Sequence, residues 1–141
     1  MTMRSLLFVP ADSEKKMSKS LTVGADGLIL DLEDSVAAPN KPAARPMAAA
    51  FIEDTRKKAQ RPRLYVRINP LDGPYWQDDL ATVIKAQPDG IILPKPKGAG
   101  DVATLAQALD RVEPQHQIPL GATRIIAIAS EVPAAIFNFG S

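Results

Sequence analysis

The sequence predicts an α/β fold built on a buried parallel sheet, and three observations carry that reading. Five short, nearly continuous apolar runs alternate with longer segments whose apolar residues recur at helical spacing. Strands apolar on both faces belong to parallel sheets covered on both sides. Charged and polar residues gather where the runs end, and in parallel α/β folds those strand ends form the active-site rim.

Each element follows from local pattern. Ser5 to Val9 is an apolar run stopped by Pro10. Asp12-Ser13 offers a helix cap, and Glu14 to Leu21 carries Met17, Leu21 and a row of lysines. Gly24-Ala25-Asp26-Gly27 is a turn, and Leu28 to Leu32 is a second buried run. Lys41 to Gln60 places Ala44, Met47, Ala48, Phe51 and Ile52 on one helical face. Arg63 to Asn69 reads as a third strand, residues 70–74 as a loop and Trp76 to Ala86 as a third helix. Gly90 to Leu93 is strand four, stopped by Pro94-Lys95-Pro96. Asp101 caps a fourth helix running to Val112, and Arg124 to Ala129 is strand five. Glu131-Val132-Pro133 then opens a fifth helix at Ala134. A doubly wound sheet and a (β/α)8 barrel both satisfy this order. The first strand–helix turn lacks Gly-x-Gly-x-x-Gly, which speaks against a dinucleotide site.

Composition narrows the classes of function. The 141 residues are 45% hydrophobic and 23% charged, the balance of an ordinary globular protein. A net charge of +1 gives no basic excess for nucleic acid. No run approaches the ~20 apolar residues of a membrane span, and the apolar start is too short for a signal peptide. With no cysteine, thiolate catalysis and Cys-based zinc sites are absent, and a cytoplasmic location is expected. His116, the single histidine, lies in a polar loop and reads as solvent-facing. Any metal would therefore be hard and oxygen-liganded, Mg²⁺ being the natural candidate.

The strand ends supply the candidate chemistry. Strand two delivers Asp31, Glu33 and Asp34; strand three, Arg67 and Asn69; strand four, Lys95; strand five, Glu131. Arg67 in a buried strand needs an anion, because an unpaired buried charge is costly. Either a substrate supplies it, or Glu33 or Glu131 pairs with it. Glu131 has the alternative role of an acid in a helix first turn. The helix-one lysines, Lys15, Lys16 and Lys19, are either a solvated face or a contact for a phosphate-bearing substrate arm near the rim.

Residues 4–10 (Arg-Ser-Leu-Leu-Phe-Val-Pro), Gly24 to Val36 with the run Asp31-Leu32-Glu33-Asp34, Lys41 with Ala44-Arg45, Val66-Arg67-Ile68-Asn69, Leu93-Pro94-Lys95 and Ser130-Glu131-Val132-Pro133 occur in a recognisable order and spacing. Together they resemble the citrate lyase beta-subunit-like branch of the HpcH/HpaI aldolase family, over essentially the whole chain. The resemblance implies the N-terminal part, about five βα units, of a (β/α)8 TIM barrel. Residues 1–141 would then be one incomplete barrel domain whose remaining strands are absent from this chain. It also implies a Mg²⁺-dependent carbon–carbon lyase acting on a 3-hydroxyacyl-CoA of the malyl-, citramalyl- or citryl-CoA type, releasing an acyl-CoA and a keto acid.

By the same resemblance Glu131 is the metal ligand, a second ligand lying beyond Ser141. Arg67 is the substrate arginine, while Arg4 and Lys19 fall where coenzyme A is expected. Glu33 and Asp34 would orient Arg67, metal-bound water or a catalytic proton. Family members are homo-oligomers, trimers or hexamers, in which a neighbouring subunit sometimes supplies the base. Two departures stand out: Ala11 replaces a usual glycine and Val132 a usual threonine. A class II pyruvate aldolase, an acyl-CoA thioesterase and an inactive fragment serving only as an assembly module are the competing expectations.

Overall fold

The computed structural model describes residues 5–96 and 98–127. Five parallel strands form one sheet in sequential order: β1 (Leu6–Pro10), β2 (Gly27–Asp31), β3 (Arg63–Arg67), β4 (Gly90–Leu93) and β5 (Arg124–Ala127). Helices α1 (Glu14–Ser20), α2 (Lys41–Arg56), α3 (Trp76–Val83) and α4 (Ala99–Gln115) connect them, with short 3-10 turns at Ala38–Asn40 and Ile84–Ala86. A doubly wound sheet reverses its strand order at a switch point. Here each strand pairs with the next, which is the order of the first five units of a (β/α)8 barrel.

The sheet has two different faces. Leu28, Leu30, Leu64, Val66, Ile91 and Leu93 pack in one cluster with Met17, Ala44, Ala48, Ile52, Leu80, Leu105 and Leu109 of the helices. Ile29, Tyr65 and Ile92 form the opposite face with Leu6, Phe8 and Ile126 and touch no helix cluster. Side chains alternate along a strand, so the last residues of β2 and β3 share this second face. The register sets Pro10 against Asp31 and Asp31 against Arg67, making a polar row at the strand ends.

Several boundaries differ from the sequence pattern for identifiable reasons. Ser13 caps α1, accepting from the Lys16 amide at 3.2 Å, as its residue type suggested. Asp101 does not cap α4; it stands in the first turn, and Gly98 (φ +148°) occupies the cap position. Only glycine adopts that backbone readily, so the helix begins earlier than the Asp101 signal indicates. Helix α2 stops at Arg56, where the apolar stripe that buries it runs out. Strand β3 ends at Arg67, because beyond it the backbone leaves β2 to bring Asn69 under the loop. The final residues assigned to strand five and the fifth helix lie outside the described residues. Among the described residues no helix is long and apolar enough to cross a membrane.

Gly90 is required by close approach rather than by its backbone angle. A Cβ there would lie 2.9 Å from the Arg124 carbonyl oxygen and from the ring of Tyr65, which is buried. Neither neighbour can yield without shifting β5 or the apolar face. Gly90→Ala is expected to cost about 1–3 kcal/mol, the range for overpacking a filled core. Calorimetric unfolding of the full-length protein measures it.

Candidate active site

The site is built where β2 and β3 end. Arg67 Nε donates to Asp31 Oδ1 at 2.8 Å and Nη2 donates to Asp31 Oδ2 at 2.7 Å. This is the fork-to-carboxylate geometry that makes arginine pairs strong and directional. The Asp31 side chain is 2% exposed and that of Arg67 17%. Phe8, one strand over, covers a face of the guanidinium, its ring centroid 4.7 Å from Cζ. One edge and one face are thus occupied. The remaining nitrogen, Nη1, donates to none of the described residues. An open cleft of about 360 Å³ is lined by Phe8, Pro10, Asp31, Asp34, Ser35 and Arg67.

Asp31 also organises the turn that follows β2. The Glu33 amide donates to its Oδ1 at 2.9 Å, and the Ser35 amide and hydroxyl donate to Oδ2 at 3.0 and 2.7 Å. Burial pushes the Asp31 carboxyl up. The hydrogen bonds from Arg67 and Ser35 outweigh that and hold it below the ordinary carboxylate range. Burial depresses the Arg67 guanidinium, but Asp31 outweighs it and keeps Arg67 above its ordinary value.

That turn turns Glu33 inward. Its side chain is 5% exposed, with Oε1 3.5 Å from Arg67 Nε and Oε2 3.1 Å from Lys95 Nζ. Oε1 is buried and accepts no hydrogen bond among the described residues. Burial pushes the Glu33 carboxyl above its ordinary value, and Lys95 and Arg67 offset this only in part. Lys95 sits between two prolines with φ +49°, a backbone region in which a non-glycine residue is strained. It pairs with Glu33 and, at 3.5 Å, with Asp34. Charges therefore alternate along the rim as Asp31, Arg67, Glu33, Lys95.

Behind the turn runs a second buried polar chain. Lys41 Nζ donates to the Leu32 and Glu33 carbonyls, both at 2.9 Å, and to Asn69 Oδ1 at 2.7 Å. Asn69 Nδ2 donates to Leu32 O and to Asp79 Oδ2, and Asp79 Oδ1 accepts from Arg45 Nε at 2.8 Å.

Of the residues singled out from sequence, Arg67 and Glu33 meet at the rim. Asp34 stands at the mouth of the cleft, with its side chain 62% exposed, and among the described residues it pairs only with Lys95. Lys19 is not brought to the rim. Helix α1 must return the chain to the start of β2, parallel to β1, so each turn carries it away from the strand ends. Lys19 falls in its last turn, exposed, about 9 Å along the axis from the capped end. Arg4 and Glu131 lie outside the described residues. His116 is exposed, as expected of a polar loop.

The sequence marks Asp31 as a rim residue but not as the partner of Arg67, and it does not single out Phe8 or Asp79. Among the described residues Asp31, rather than Glu33, is the close partner of Arg67, and only the strand register reveals it. Phe8 looks like any strand apolar residue. Asp79 had one available signal: an acid on the buried stripe of an amphipathic helix, where it is fully buried.

The donors on offer suit a hard cation, since the chain has no cysteine and its one histidine is remote from the rim. Among the described residues, no group of three or more histidine, cysteine or acidic side chains is placed to hold a metal ion. Asp31 is committed to Arg67, and Glu33 is shared between Arg67 and Lys95.

Fold and rim together define an α/β-barrel protein with charged residues gathered at its strand ends. The family described as HpcH/HpaI aldolase/citrate lyase matches residues 4–139. The chain belongs to that family. It is 34% identical over 133 residues to the citrate lyase subunit beta of Haemophilus influenzae, covering 94% of this chain and 45% of that protein. It is 35% identical over 109 residues to a (3S)-malyl-CoA thioesterase of Cereibacter sphaeroides, covering 77% and 38%. The solved structure of protein CitE from Mycobacterium tuberculosis in complex with magnesium and acetate superposes with a TM-score of 0.65 at 30% identity, covering 96% of this chain and 48% of that one. The chain thus spans less than half the length of these proteins.

Proposed function

We propose that the full-length protein is a Mg²⁺-dependent carbon–carbon lyase that cleaves a 3-hydroxyacyl-CoA of the malyl-, citramalyl- or citryl-CoA type to an acyl-CoA and a keto acid. The observation that carries this reading is Arg67. Asp31 fixes its fork, Phe8 covers one face, and the residue lines the cleft. The similarity to a citrate lyase subunit and to a malyl-CoA thioesterase supports an acyl-CoA substrate. We read residues 1–141 as part of one barrel domain completed by strands outside this chain. We also read the protein as a cytoplasmic homo-oligomer, a trimer or hexamer.

In such a cleavage the C3 hydroxyl loses its proton and becomes the keto oxygen. The C2–C3 bonding pair passes into the thioester, giving an enolate that is then protonated. Negative charge shifts during the step, and a guanidinium already held in place stabilises it without reorganising. Arg67 would bind the keto-acid portion through Nη1. Glu33, buried against Arg67 Nε and Lys95, would hold the guanidinium in plane and store or return a proton. Asp34, at the mouth, would tune the field there. Arg4 and Lys19 remain the candidates for coenzyme A, Lys19 from the exposed last turn of α1 for a part of the ligand away from the rim. Magnesium, held through Glu131, would supply Lewis-acid polarisation of the keto-acid oxygens when bound.

One assay separates this reading from its nearest competitor. The full-length protein with Mg²⁺ is given malyl-, citramalyl- and citryl-CoA, and keto acid and free thiol are followed together. A lyase releases keto acid with no free thiol. Free thiol without keto acid would make the protein a thioesterase, the reading that the 35% identity to the malyl-CoA thioesterase favours. Cleavage of free hydroxy-keto acids alone would make it a pyruvate aldolase. Glu131→Ala is expected to abolish the magnesium-stimulated rate while leaving unfolding of the β1–β4 core unchanged.

A further inference from the structure

Lys41 occupies a position that local physics disfavours. It is the first residue of α2, where the helix dipole favours an anion and opposes a cation. It is also 8% exposed, and burying an ammonium away from a countercharge is costly. No carboxylate lies within ion-pair distance of it among the described residues. All three of its protons are nevertheless used, on Leu32 O, Glu33 O and Asn69 Oδ1. The Tyr75 ring lies 5.5 Å from Nζ on another side. A residue that breaks both rules while meeting every hydrogen-bond demand marks a position kept for geometry.

The geometry it serves is the turn after β2. Leu32 and Glu33 supply the two successive carbonyls between Asp31 and Asp34. Pulling both toward one ammonium from behind fixes the peptide planes that carry the Glu33 side chain. The amides of Glu33 and Ser35 are thereby aimed at the Asp31 carboxylate from the front. Asp31 in turn sets the plane of Arg67. Asn69 ties the same ammonium to β3 and, through Asp79 and Arg45, to α3 and α2. Helix α2, the turn after β2 and the segment after β3 therefore meet on one cation.

We propose that Lys41 is a positioning residue that clamps the turn 31–35 and so fixes the direction in which Arg67 faces the cleft. The clamp is an inference from geometry; its effect on turnover rests on the lyase reading.

The test uses the full-length protein and amide hydrogen exchange, which needs no substrate. In Lys41→Met the protection of the Glu33 and Ser35 amides is expected to fall about tenfold further than that of Ile91 and Ile92 in β4. That is the scale of losing hydrogen bonds to buried acceptors. Asn69→Ala, which removes one acceptor and leaves the ammonium, is expected to loosen the same amides by a smaller factor, and it serves if Lys41→Met does not fold. A uniform loss across the turn and β4 would mean that Lys41 only stabilises the fold, and it would overturn the proposal. Unchanged protection at Glu33 and Ser35 would overturn it too. Where the wild type turns over, kcat/KM of Lys41→Met is expected to fall ten- to a hundredfold, the cost of a catalytic group misplaced by about an ångström. An unchanged kcat/KM would overturn the link to Arg67. A wild type without lyase turnover would sink the function while leaving the exchange result to decide the clamp.

Discussion

Arg67→Ala is expected to lower kcat/KM of the full-length protein by about a thousandfold, with the loss largely in kcat. Removing one preorganised donor from a developing oxyanion typically costs 10²–10³. Here the donor is a full positive charge, already oriented by two hydrogen bonds and a stacked ring. Arg67→Lys is expected to recover little. A lysine ammonium is a point charge that cannot hold both oxygens of Asp31 and still present a separate edge to the cleft. The measurement is steady-state cleavage of malyl-CoA by variants shown to be folded by circular dichroism. Turnover within threefold of wild type by Arg67→Ala would remove Arg67 from the chemistry and the lyase assignment with it.

Asp31→Asn should be the most damaging single substitution for stability, at about 3–5 kcal/mol, the cost of stranding one member of a buried ion pair. The amide keeps an acceptor for the Glu33 N–H but loses the charge that compensates Arg67, and its –NH₂ opposes the Ser35 N–H. The same pair predicts a pH dependence. The folded-state pKa of Asp31 lies below its unfolded value. Its stabilisation is therefore complete above the ordinary carboxylate range and is lost as pH falls through the lowered folded value. Glu33 has the opposite sign. Its raised value means that ionising it costs stability at higher pH, and protonation on acidification removes that cost. Urea unfolding between pH 7 and pH 3 should show Asp31→Asn with a shallower acid loss than wild type. Parallel curves for the two proteins would refute the pairing as a source of stability.

Much of this protein is legible from its residues in order. Gly90 to Leu93, bounded by Asp89 and Pro94, is a strand with the limits that composition alone indicates, and Ser13 caps α1 as its hydroxyl suggests. Arg67 declares itself because a charge inside an apolar run demands a partner. Which partner it takes is another matter. Asp31, Glu33 and Asp34 are all within reach in sequence terms, and only the parallel register sets Asp31 directly opposite Arg67. The distance of Lys19 from the rim is likewise decided by the fold: it lies near β1 in the chain, yet a helix that must run antiparallel to its strand carries it away from the strand ends.

What the sequence determined by itself is whatever depends on spacing within one element: the alternation of strands and helices, the apolar faces and the charged residues closing each strand. What the tertiary structure alone decided is which of those charges meet. The Asp31–Arg67 fork, the ring of Phe8 laid over it and the Lys41–Asn69–Asp79 chain join residues from β1, β2, β3, α2 and α3. The physical reason is that electrostatic and hydrogen-bond energies depend on ångström-scale separations between elements, and local propensity carries no information about those distances.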